Sequence, residues 1–145
     1  MKIKVITSKD EAYKDALFVR KEVFVNEQNV SEELEVDHLE DTATHFVLYD
    51  TENQPIGAGR MRPIGDGGKV ERVCILSNRR KQGLGDLLMK SMEQEASRLN
   101  YPALTLYAQV QAEVFYKKLG YTTTSKEPFI DANILHVAMK KALNQ

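Results

Sequence analysis

Apolar and polar positions along the chain fall into two periods, and the switches between them outline the elements. Residues 3–6 read as a short strand. Ser8 and Glu11 have the spacing of a capping box. Behind them Tyr13, Ala16, Leu17, Val23 and Phe24 recur at helical spacing. Residues 31–41, SEELEVDHLED, are acidic and predict a solvated loop holding at most a short helix. Residues 45–49 and 56–61 read as paired strands, 65–68 as a turn and 69–76 as the next strand. A long helix follows, with Leu84, Leu87, Leu88, Met92, Ala96 and Leu99 predicted on one face, and Tyr101-Pro102 ends it. Residues 104–108 predict a strand, 112–119 a short helix closed by Gly120, and 121–124 and 134–139 two final strands.

The order is strand, helix, three strands, helix, strand, helix, two strands. Short turns between the three consecutive strands imply antiparallel pairing. The strand–helix–strand unit from 69 to 108 implies a parallel, right-handed crossover. The expected fold class is therefore α/β with a mixed sheet. With 145 residues and no repeat or linker, a single domain spanning 1–145 is expected.

Composition narrows the function classes. The net charge of −1 gives no global field toward nucleic acid or an anionic membrane, so neither is expected as a partner. No apolar run is long enough to span a bilayer, and the N-terminus lacks the apolar core of a signal peptide. Cys74 is the sole cysteine, which excludes an internal disulfide and a cysteine-based metal cluster and suits a cytoplasmic setting. His38 is too isolated to argue for a metal, and none is expected.

The chemistry concentrates in Arg79-Arg80-Lys81-Gln82-Gly83-Leu84-Gly85-Asp86, where three cations and two glycines run into a helix start. The nearest capping residues, Ser77 and Asn78, come too early to satisfy the helix's first amides. Unpaired donors, the positive helix end and bare backbone at Gly83 and Gly85 together make an anion site for a phosphate. The alternative is that these glycines only allow close packing of helix on strand. Neither the dinucleotide fingerprint nor a P-loop fits the spacing.

Arg80-Lys81-Gln82-Gly83-Leu84-Gly85 resembles the (Gln/Arg)-x-x-Gly-x-(Gly/Ala) signature of GNAT-family N-acetyltransferases. Ala112-Glu113-Val114-Phe115-Tyr116-Lys117-Lys118-Leu119-Gly120-Tyr121 resembles that family's second conserved segment, at the right distance. Finer features resemble the small bacterial YjcF/ElaA-like subgroup: Arg20, the run from Val23 to Gln28, Asp37, His45, Glu71-Arg72-Val73, Ala108-Gln109 and residues 135–139.

The resemblance implies the acyl-CoA N-acyltransferase fold, with two central parallel strands splayed apart. It implies acetyl-CoA as co-substrate, its pyrophosphate on the loop from Arg80 through Lys81, Gln82, Gly83, Leu84 and Gly85 to Asp86. The pantetheine arm would pair with the backbone of Val73, Cys74 and Ile75 and pass close to Ala112. Tyr116 would be the general acid toward the departing thiolate, or else a core aromatic. Glu71 is the first candidate base, since strict alternation puts it on one face with Val73 and Ile75; the other reading is a salt bridge with Arg72 or Arg60. His136 is a second candidate base or a buried structural histidine. Glu27, Gln28 and Gln109 would line the acceptor pocket. Cys74 reads as a small core residue.

The function implied is transfer of acetyl from acetyl-CoA to a primary amine, on a small molecule or a peptide, by direct attack in a ternary complex. A non-catalytic acyl-CoA-binding module on the same fold is the alternative. A homodimer is the base-rate expectation for assembly.

Overall fold

In the computed structural model, which describes residues 1–143, the strands join one mixed sheet. In chain order the elements are β1 (Lys2–Ile6), α1 (Tyr13–Arg20) running on as a π-helical stretch (Lys21–Glu27), and α2 (Glu32–Glu35). Then come β2 (Thr44–Tyr49), β3 (Pro55–Ile64), β4 (Gly67–Ile75), α3 (Leu84–Arg98) and β5 (Ala103–Gln109). Last are α4 (Glu113–Lys118), β6 (Thr122–Thr123), β7 (Phe129–Asp131) and β8 (Ile134–Ala142). The spatial order is β1-β2-β3-β4-β5-β8-β6, with β7 pairing on β8. β7 was not foreseen from the sequence. Residues 144 and 145, the end of the expected domain span, lie outside the described residues.

The antiparallel pairing of β2, β3 and β4 follows from their short turns, as predicted. β4 and β5 are parallel, but they pair only at Gly68–Leu104, Lys69–Thr105 and Val70–Leu106. Beyond Val70 the two strands diverge, which is the expected splay.

A bulge sits at the same point. Ala58 pairs with Cys74 and Arg60 with Glu71, so Arg72 and Val73 together oppose the single residue Gly59. Arg72 takes a φ of 58°, a left-handed conformation disfavoured for a residue with a Cβ. Its guanidinium is tied down by the carbonyls of Glu35 (3.0 Å) and Leu34 (2.9 Å), which hold the strained backbone in place.

The sheet's two faces differ in kind. α3 covers one face with Leu88, Met89, Met92 and Ala96, all without solvent exposure, against Phe46, Met61, Leu104, Leu106 and Met139. Leu87, predicted on this stripe, is exposed, and Met89 takes its place. At about 100° per residue Leu87 falls on the far side of the helix from Leu88 and Met92. α1 covers the other face, where Ala16, Val19 and Val23 pack on Val47, Ala58 and Cys74.

Beside that second apolar cluster lies a buried ionic one. Arg20 donates to Glu35 (Nε, 2.6 Å) and to both oxygens of Glu40 (2.8 Å each). Arg60 donates to Glu40 (2.5 Å), Asp37 (2.7 Å) and Glu71 (2.8 Å). Half of the acidic run at 31–41 is thus neutralised inside the fold rather than solvated. The expected capping box also fails. Ser8 donates to Asp41 (2.6 Å), and the turn before α1 is closed one residue earlier by the Thr7 amide on Asp10 (2.7 Å).

Candidate functional site

α3 begins behind Gly83, whose φ of 76° is left-handed and whose side-chain position is open space. No described side chain caps the helix, and its first backbone bond runs from the Leu87 amide to the Gly83 carbonyl (3.2 Å). The amides of Leu84, Gly85 and Asp86 therefore stay outside the helical ladder at its positive end. The two glycines serve different needs. Gly83 is required by its backbone conformation, whereas a Cβ on Gly85 would meet the Phe115 ring at 3.2 Å. Close packing thus accounts for Gly85, though against Phe115 of α4 rather than against a strand, while the space beside Gly83 is open.

The cations of this loop are partly engaged. Arg79 pairs with Asp50 (2.8 Å). Arg80 makes a two-pronged pair with Glu27 (2.6 and 2.7 Å) and donates through Nε to the Ile75 carbonyl (3.0 Å). Among the described residues, Lys81 is the cation of the three without an ion pair.

A cleft of about 760 Å³ opens in front of the α3 N-terminus and follows the gap between β4 and β5. Of the anticipated cofactor residues it is lined by Val73, Cys74, Ile75, Arg80, Lys81, Gly83, Leu84, Gly85, Asp86, Ala112 and Tyr116. Gln82 is exposed and lies outside the lining. The anticipated acceptor residues Gln28 and Gln109 line the cleft and are joined by a hydrogen bond from Gln109 Nε2 to Gln28 Oε1 (2.8 Å). Glu27 corrects the expectation: its carboxylate turns away to Arg80 and borders a separate depression beside Phe18 and Asn26.

The three candidate catalytic side chains all reach the cleft, in different states. Tyr116 is buried between Phe115 and Tyr121, with ring centroids at 5.0 and 5.8 Å. Burial raises its pKa well above the ordinary phenol value, and its hydroxyl has no hydrogen-bond partner among the described residues. It is therefore a protonated donor awaiting an acceptor. Glu71 is not on the face of Val73 and Ile75, because the bulge shifts the alternation by one. Val73 and Ile75 pack toward α3, whereas Glu71 joins Arg60 and Arg62 on the α1 face. Burial pushes its carboxyl up, but Arg60 and Arg62 outweigh this and hold it below the usual range. The salt-bridge reading of Glu71 with Arg60 is thus realised. His136 is buried in β8, with Nδ1 2.7 Å from the Ile134 carbonyl. A carbonyl only accepts, so Nδ1 carries a proton, and Nε2 is the nitrogen that holds the lone pair whenever the ring is neutral. Cys74 is a core thiol that burial pushes up to about 12.

Sequence reasoning missed the other end of the cleft. Leu34, Glu35 and Asp37 from the acidic run, Lys69 and Arg72 of β4, Tyr107 of β5 and Asp131 of β7 line it. Alternation on β4 and β5 could have placed Lys69 with Tyr107, but the fold of the acidic run carries no local signal.

The sequence and fold have counterparts in known proteins. Residues 6–143 match the family described as Acetyltransferase (GNAT) domain. The chain is similar to the uncharacterized N-acetyltransferase YjcF of Bacillus subtilis (strain 168), at 47% identity over 94% of this chain and 97% of that one. Among solved structures it resembles an acyl-CoA N-acyltransferase from Pseudomonas aeruginosa, with TM-score 0.85 and 26% identity over 98% of this chain and 100% of the other. It also shares the fold of Escherichia coli ElaA, with TM-score 0.85 and 20% identity over 97% and 99% of the two chains.

Proposed function

Because the chain belongs to the GNAT acetyltransferase family and is an acyltransferase, we propose that it moves acetyl from acetyl-CoA to a primary amine by direct attack, with Tyr116 as general acid and His136 as general base. The observation that carries this reading is the hydroxyl of the mostly buried Tyr116, without a hydrogen-bond partner among the described residues and facing a cleft that runs to an uncapped helix N-terminus.

The residues present suit the cofactor. The amides of Leu84, Gly85 and Asp86 would hold its diphosphate at the positive end of α3. The edge of β4 from Val73 to Ile75, left unpaired by the splay, would hold its amide-bearing arm as an added strand. When bound, acetyl-CoA supplies an activated acyl group whose leaving atom is a thiolate sulfur.

Tyr116 would donate a hydrogen bond to that sulfur as negative charge develops on it; its raised pKa keeps the phenol protonated and so able to donate. His136 Nε2 accepts the proton that the amine must lose, while the Ile134 carbonyl fixes the ring's tautomer. Glu71 holds the guanidinium groups of Arg60 and Arg62 at the acceptor end and, being held ionised, is the poorer base. Burial keeps Cys74 a thiol and so a poor nucleophile, which supports direct transfer over a route through an acetylated cysteine. Gln28 and Gln109 bound the acceptor end, and the acceptor is an amine on a small molecule or peptide.

The test is acetyl-CoA-dependent thiol release with a panel of amines. Tyr116→Phe is expected to lower kcat by roughly 10²-fold or more, with coenzyme A affinity changed by no more than about twofold. An unchanged kcat would remove Tyr116 from the reaction.

A further inference from the structure

Lys69 is a charged amine that the fold leaves undercompensated beside the acceptor end of the cleft. It lies in the three-residue stretch where β4 and β5 still pair, one residue before the splay begins. Its side chain is only 12% exposed, yet it lines the cleft. Its ammonium sits 3.7 Å from the centre of the Tyr107 ring. Its ionic partner among the described residues is Glu71, at 3.7 Å. That carboxylate already receives Arg62 (3.0 Å) and Arg60 (2.8 Å), the latter also paired with Asp37 and Glu40. Asp131 stands exposed at the rim of the same cleft, where its charge acts on Lys69 without forming an ion pair among the described residues. The net result is a lysine pKa below its ordinary value: burial is the main cause and Arg62 adds to it, against Glu71 and Asp131.

The floor continues from this lysine to the proposed base. Tyr107 meets Phe129 edge-on at 5.0 Å, and Phe129 stacks on His136 at 6.3 Å. An acceptor lying along this aromatic surface has its amine at His136 and its other end at Lys69. The acids on the opposite wall are already spent: Glu35 on Arg20 and Arg72, Asp37 on Arg60 and Arg72. The direct ion pairs at this end therefore hold five cations, Arg20, Arg60, Arg62, Lys69 and Arg72, against four carboxylates, Glu35, Asp37, Glu40 and Glu71, with Asp131 unpaired at the rim among the described residues.

We propose that Lys69 is a specificity-determining residue that binds an anionic group on the acceptor, so that the preferred substrate class is an amine that also carries a carboxylate. A carboxylate of this kind completes the charge set around Glu71 and stays in contact with the Tyr107 side of the cleft. The inference rests on the transferase reading for its kinetic consequence, though the binding it describes is measurable without turnover.

The experiment compares 6-aminohexanoate with hexylamine, which differ by the charged end, in acetyl transfer and in calorimetric titration into protein saturated with coenzyme A. The carboxylate is expected to bind and to react at least about tenfold better. Lys69→Met should reduce that preference to within about twofold, and Lys69→Arg should retain it. Hexylamine performing as well as the carboxylate, or a preference that survives Lys69→Met, would overturn the proposal. If neither amine is acetylated, the transferase reading is decided by the wider amine panel, and the titration alone decides whether Lys69 selects the anion.

Discussion

The two faces of the sheet are held by opposite materials. Under α3 the contacts are Leu, Met and Phe side chains with no exposure, and their attraction is non-directional. Under and beside α1, Arg20 and Arg60 are fully buried and are held by Glu35, Glu40, Asp37 and Glu71. The apolar face would tolerate some repacking. The ionic face would not, since removing one member leaves a charge stranded in low dielectric. The contrast follows the chemistry. Tyr116 and the loop proposed to hold the cofactor rise from the apolar side, while the proposed acceptor end is framed by the ionic side, where charge can select a ligand.

The sharpest way to break this contrast is Arg20→Met. It takes the bidentate partner from Glu40 and the closer partner from Glu35, leaving them only Arg60 and Arg72 as cationic partners, and is expected to cost about 3–5 kcal/mol in chemical denaturation. Met92→Ala, on the apolar face, is expected to cost about 2–5 kcal/mol through the cavity it leaves. A loss for Arg20→Met as small as that of an exposed residue would mean the ionic face is ornament. Acid separates the faces further. Burial pushes the Glu40 carboxyl up, but Arg20 and Arg60 bring it down to about 2 from an ordinary 4.5. Its folded value is the lower one, so its stabilising contribution is complete above pH 4.5 and fades as pH falls toward 2. Melting curves across that window should show the wild type losing stability. Met92→Ala should lower the whole curve without changing its pH dependence.

The same contrast governs what was legible in the sequence. Leu88, Met92 and Ala96 announce their helix because apolar periodicity is a local signal. The buried acids do not, because their partners are remote: Glu35 and Glu40 meet Arg20 across 15 and 20 positions, and Arg72 reaches Glu35 across 37. Read locally, charged runs mean solvent, so residues 31–41 looked like an exposed loop. The bulge was hidden for a related reason. A left-handed arginine is held by tertiary contacts with Leu34 and Glu35, and nothing in Glu71-Arg72-Val73 itself demands it. That single extra residue is what moved Glu71 to the other face. The loop before α3 was readable because its glycines and missing cap lie side by side, although only Gly83 carries the backbone need.

The central claim is that the bare N-terminus of α3 holds the diphosphate of coenzyme A. Calorimetric titration of coenzyme A into the wild type and Gly83→Val tests it most directly. At Gly83 a side chain has room, but its φ of 76° strains any residue bearing a branched Cβ. One binding site per chain is predicted for the wild type, with affinity weakened roughly tenfold or more, about 1.4 kcal/mol, in the variant. No heat with the wild type, or equal affinity in a folded Gly83→Val, would contradict the account.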